Sequence, residues 1–207
     1  MRVTKKLCVR NEKTLFISKV FDDVITRTEF PLNADYIELN VGYGATVVDD
    51  EKIVIGIDVN DPLLMNMDAR VIKTLLTFEL FRVYVRKMLK IEVPRPIEDI
   101  IVGRELVRKG FSGDVSYIFY ILVMTHDVAD VKSFIRANIP RLVFKNADEF
   151  NYKLFHGYED KSSKRKFTAK YKLKTKKLFA ALGKDLWDLK NLKKSIQLYG
   201  DVVNAGD

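Results

Sequence analysis

The chain is poor in the residues that build metal and redox sites. Its 207 residues include one cysteine, Cys8, and two histidines, His126 and His156. A lone cysteine closes no internal disulfide, and zinc sites made mainly of Cys and His are all but excluded. Any metal would have to lean on carboxylates, and the sequence calls for neither a metal nor a cofactor. Also missing is any stretch of about 18 apolar residues without a charge. The first ten residues lack the apolar run of a signal peptide, so a cytoplasmic protein is expected. A single glutamine, Gln197, beside abundant Lys, Glu, Ile and Val gives a thermophile-like composition.

What is present is enough for one well-buried domain, or a domain with a small appendage, at 47% hydrophobic content. The formal charge of +8 is unevenly placed. Residues 161–194 hold thirteen Lys and Arg against two acids, a local +11, which leaves the remainder of the chain at −3. The basic character therefore belongs to one C-terminal region. We expect an α+β core over residues 1–160 and a basic helical region over 161–207, docked on that core.

The first sixty residues read as strands. "KTLFISKV" (13–20), "YIELNV" (36–41), "ATVV" (45–48) and "KIVIGIDV" (52–59) are short and β-branched, with turn-forming residues between them. Short sequential strands with short connections predict an N-terminal antiparallel sheet. From Asp61 the period becomes helical. Asp68 is placed to cap a long helix to about Lys90, and Pro96 opens another that Gly110 stops. Asp114 and Asp127 are placed to cap two more, the second ended by Pro140. Further helices are expected at about 147–156, 163–182 and 184–199, with Gly183 as the break between the last two. Strands first and helices afterwards predict an α+β fold.

The long helix carries "LLTFELFRVYVRKML" (75–89), which sets Glu79 on a largely apolar face. Arg82 and Arg86 lie within helical reach of it, so a partly buried ion pair is one reading. The segment also resembles the active-site helix of zincin-like metallopeptidases, in which H-E-x-x-H holds zinc with two imidazoles and uses the Glu as base. The corresponding residues here are Phe78, Glu79, Leu80, Phe81 and Arg82. Only the Glu is retained, and Phe and Arg cannot hold zinc. The resemblance implies a non-catalytic relative that keeps the scaffold. A hydrolytic site at Glu79 would draw on Glu98 or Glu105 from the following helix.

"THDVAD" (125–130) gathers His126, Asp127 and Asp130, which with His156 could in principle ligate a divalent metal. Helix capping accounts for both aspartates more simply. "VGYGAT" (41–46) lacks the third glycine and following helix of a dinucleotide fingerprint, and its glycines suit a turn or bulge. No P-loop, nucleophile elbow or Ser-His-Asp arrangement is present.

The remaining signal is "KSSKRKFTAKYKLKTKK" (161–177). Wound as a helix, it sets Phe167, Tyr171, Leu178 and Leu182 along one side and lysines around the rest. Leu186, Leu189, Leu192 and Ile196 form a second stripe, so a helical hairpin is expected. An unpaired lysine field attracts phosphates without reading base sequence. Lys164, Arg165, Lys166, Lys170, Lys172, Lys174, Lys176 and Lys177 are the expected contacts, with RNA or DNA, or an acidic protein, as the partner. A solvated helix face, a membrane-surface helix and a structural, homo-oligomer-forming role are the competing readings.

Overall fold

The computed structural model describes residues 2–27, 36–42, 47–48, 52–60, 64, 68–125, 129–144 and 165–205. Two compact units divide the chain, residues 1–91 and 92–207. The fold is α+β and mostly helical. The boundary expected at residue 160 falls outside the described residues.

In the first unit, β1 (Arg2–Leu7) leads into α1 (Glu12–Arg27), followed by β2 (Tyr36–Val41), the two-residue β3 (Val47–Val48), β4 (Lys52–Ile57) and α2 (Ala69–Leu89). The sheet runs β1-β2-β4-β3. β1 and β4 both pair parallel with β2, and only β3 is antiparallel, against β4. The expected antiparallel sheet is thus corrected to three parallel strands with a short antiparallel edge.

The error has a specific source. "KTLFISKV" is not a strand but the start of α1, whose buried residues Thr14, Ile17, Phe21 and Val24 are spaced three, four and three apart. That helical period emerges only across the whole segment, because eight residues of which five are β-branched or apolar suit either structure. With α1 as the connection, β1 and β2 run the same way, as a strand-helix-strand unit requires.

Side chains alternate across the sheet. Ile37, Leu39 and Val41 of β2 and Ile53, Ile55 and Ile57 of β4 share one face. They form a buried cluster with Ile17, Phe21 and Val24 of α1 and with Ile72, Leu76, Leu80 and Val83 of α2. The other face is largely polar, with Val54 of β4 beside Glu38. There Glu38 is buried between Lys52, 3.2 Å from Oε2, and Lys6, 3.4 Å from Oε1. Tyr36 Oη donates to Glu38 Oε2 at 3.1 Å, and the Tyr36 hydroxyl also bonds Thr4. Burial opposes ionisation of this carboxyl, but the bonds from Lys52, Tyr36 and Lys6 outweigh it and hold the pKa below its ordinary value.

At the C-terminal end of the strands the Gly42 N–H bonds Ile57 O at 2.8 Å, and Gly42 has φ +153°. A Cβ there would lie 2.5 Å from Cys8 Cβ, so close approach and backbone conformation both require glycine. Gly44 lies outside the described residues.

α2 begins as expected, with Asp68 accepting from the Arg70 N–H, and ends at Lys90 in the left-handed region.

The second unit is helical over its described residues. α3 (Arg95–Arg108), α4 (Ser112–Thr125), α5 (Val131–Ala137), α6 (Ile139–Val143), α7 (Arg165–Leu182) and α8 (Leu189–Asn204) follow in order. Pro96 falls in the first turn of α3, and Gly110 follows its end with φ +92°. Asp114 lies inside the first turn of α4, two residues after its start at Ser112. Asp127 and the expected helix at 147–156 lie outside the described residues. α5 is capped by Asp130, through a capping box with Ser133, and Pro140 opens α6. Gly103 lets α3 meet α6 closely: a Cβ there would stand 2.8 Å from Val143 Cγ2. Phe119 and Phe144 meet edge to face at 6.4 Å.

Candidate functional site

α7 folds as a helix over Arg165–Leu182, a segment without a single acidic residue. Tyr171, Thr175, Leu178, Ala181 and Leu182 are buried, at the four-three-three-one spacing of one helix face. Tyr171 and Phe179 pack on Phe134 of α5, with ring centroids 5.6 and 6.0 Å apart. The buried Thr175 hydroxyl donates to Tyr171 O at 2.7 Å, so it adds no unpaired polar group to that face.

The opposite face carries the charge. Lys172, Lys176 and Lys177 are exposed, and Lys174 is half-buried. Leu173 stands among them, 79% exposed. Among the described residues, no carboxylate lies within ion-pair distance of Lys172, Lys176 or Lys177. Arg165, Lys166 and Lys170 belong to α7, but their side chains, like that of Phe167, lie outside the described residues, as does Lys164 entirely. Lys190, Lys193 and Lys194 are exposed on α8, whose N-terminus is capped by Asp188. The helix starts at Leu189, five residues later than its expected start at 184.

The elbow between α7 and α8 is fixed by a residue that the sequence does not announce. Arg104 of α3 donates from Nη2 to Leu182 O at 2.7 Å, from Nη1 to Lys184 O at 2.8 Å and from Nε to Leu142 O at 2.9 Å. One guanidinium thus answers the unsatisfied carbonyls at the ends of α6 and α7, where a cation also meets the negative end of each helix dipole. Burial pushes the Arg104 pKa down, with Asp185 opposing it.

Beside this clamp, Glu105 Oε1 accepts from Trp187 Nε1 at 2.9 Å and Oε2 accepts from Arg108 at 2.6 and 3.1 Å. These groups border a cavity of about 450 Å³, lined also by Ile101, Val107, Leu142, Val143 and Leu186.

Glu79 is buried on α2 and ion-paired with Arg82, itself buried, with the Arg82 guanidinium 5.5 Å from the Phe78 ring centre. Glu98 and Glu105 are buried in α3. Among the described residues, no three His, Cys, Asp or Glu side chains gather as metal ligands. His126, Asp127 and His156 lie outside the described residues, while Asp130 caps α5. The Ser133 backbone N–H and hydroxyl hold the Asp130 carboxyl below its ordinary pKa. No helix among the described residues is long and apolar enough to cross a membrane. Comparison with known protein families, curated proteins and solved structures finds no match to this chain.

Proposed function

We propose that this is a non-catalytic protein that binds nucleic acid, without regard to base sequence, through the lysine face of α7. The observation that carries the reading is the division of that helix into a buried aromatic and aliphatic face and an exposed face bearing Lys172, Lys176 and Lys177. Lysines held this way are point charges on flexible stems, suited to phosphate and unable to read bases in the bidentate manner of arginine. Packing of Tyr171 and Leu178 fixes the helix, so the charges are presented by an ordered scaffold.

The other reading, a degenerate zincin-like hydrolase relative centred on Glu79, has weaker support. Its carboxylate is engaged by Arg82 in buried surroundings, which leaves it poorly placed to act as a base.

The test is fluorescence anisotropy with labelled RNA and DNA 20-mers at 50 mM salt. The intact protein binds both. Replacing Lys172, Lys176 and Lys177 together by glutamine weakens binding by roughly tenfold or more, since each lost phosphate contact forgoes counterion release. Absence of binding to either nucleic acid at low salt would remove the reading.

A further inference from the structure

We propose that the cavity at the elbow between α7 and α8 is a stacking pocket for an unpaired base of single-stranded nucleic acid, an inference that rests on α7 being the nucleic-acid contact. Its volume of about 450 Å³ lies inside the ~300–1,000 Å³ range of small-ligand sites. Ile101, Leu142, Val143 and Leu186 give it apolar walls, and the half-buried Trp187 indole is part of its lining. Sites for unpaired bases combine an aromatic platform with cations that follow the backbone, and both are present.

The charges of the lining favour an anion. Arg104, Arg108 and Lys184 stand against Glu105 and Asp185, three cations to two carboxylates. Both carboxylates already accept hydrogen bonds: Glu105 from Trp187 and Arg108, and Asp185 from the Trp187 backbone N–H at 3.0 Å. The Trp187–Glu105 bond also fixes the indole and satisfies its polar N–H, so a base stacked on the ring strands no donor. Arg108 has a 72% exposed side chain, and Lys184 is exposed. Lys184 supplies the cation for a phosphate outside, while Arg104 is committed to the elbow carbonyls and Arg108 to Glu105.

The two features are continuous in the chain. Gly183 and Lys184 follow the last residue of α7, so Lys184 lies seven residues beyond Lys177, on the order of 10 Å at helical rise. A strand laid along the lysine face is led toward the cavity. Paired and stacked bases of a duplex cannot enter it without being extruded, so the cavity discriminates single strands from double strands.

Trp187 is the only tryptophan in the chain, which makes its fluorescence a direct reporter. The intact protein is titrated at low salt with a 20-nucleotide oligothymidylate and, separately, with a duplex of equal length, and binding is followed in parallel by anisotropy of a labelled strand. The expected result is saturable quenching of Trp187 by the single strand and little quenching by the duplex, although both raise the anisotropy. Lys184→Glu lowers single-strand affinity several-fold and more than duplex affinity. An anisotropy rise without quenching overturns the pocket and leaves the α7 interface standing. Equal quenching by both ligands, or an equal effect of Lys184→Glu on both, also overturns the pocket. No anisotropy rise with either overturns both proposals.

Discussion

Replacing Arg104 with methionine removes the clamp at the elbow while keeping a long side chain of similar reach. Three hydrogen bonds are lost, to Leu142 O, Lys184 O and Leu182 O, at 2.9, 2.8 and 2.7 Å. Bonds to a charged group contribute about 1.5–3 kcal/mol each, but Arg104 is only half-buried and water can reach some of the abandoned carbonyls. We therefore expect a loss of about 2–4 kcal/mol, below the simple sum. Urea unfolding followed by Trp187 fluorescence reads this directly, because Trp187 belongs to the same unit and lies beside the clamp. With an urea slope of about 1–3 kcal/mol/M, the midpoint falls by roughly 1–2 M. Arg104→Lys recovers less than half, since one ammonium cannot span carbonyls on two separate segments. A midpoint shift under about 0.3 M for Arg104→Met, or full recovery by lysine, would refute the reasoning.

Two further changes test the packing of the second unit. Gly103→Ala forces a Cβ against Val143 Cγ2 and destabilises by about 1–3 kcal/mol, and Val143→Ala in the same chain restores part of the loss, as a double-mutant cycle in urea would show. Asp130→Ala removes the capping box of α5 at a cost of about 1 kcal/mol. Because Ser133 depresses the Asp130 pKa, this contribution is fully present above the ordinary aspartate range and is lost as pH falls through the lower folded value. The gap between variant and parent in urea therefore closes on acidification, and a gap that widened would contradict the assigned bonds.

Much of α7 and its elbow was legible in the sequence. Tyr171, Leu178 and Leu182 mark the buried stripe by spacing alone, and Gly183 marks the break. Asp68 was legible as a cap because its position before a periodic segment leaves it little else to do. The direction of the sheet is hidden in the sequence for a local reason. The eight residues from Lys13 carry no period that separates strand from helix, and β1 gives little strand signal because "RVTKKL" holds three cations in six residues. Those lysines serve tertiary contacts: Lys6 meets Glu38, and Lys5 meets Asp22 of α1 at 2.5 Å. Arg104 carried no signal at all. Its partners are backbone carbonyls 38, 78 and 80 residues away, and a carbonyl has no residue type to recognise. The cavity was illegible for the same reason, since its walls come from α3, α6 and the elbow.

The central claim is electrostatic, and its most direct measurement is the salt dependence of single-strand affinity for the unmodified protein. Three phosphate contacts, from Lys172, Lys176 and Lys177, predict that log affinity falls with log salt at a slope of about −2, or roughly 20-fold between 50 and 200 mM. A steeper slope would bring in further lysines of α7. Affinity that stays flat across that range would contradict the account.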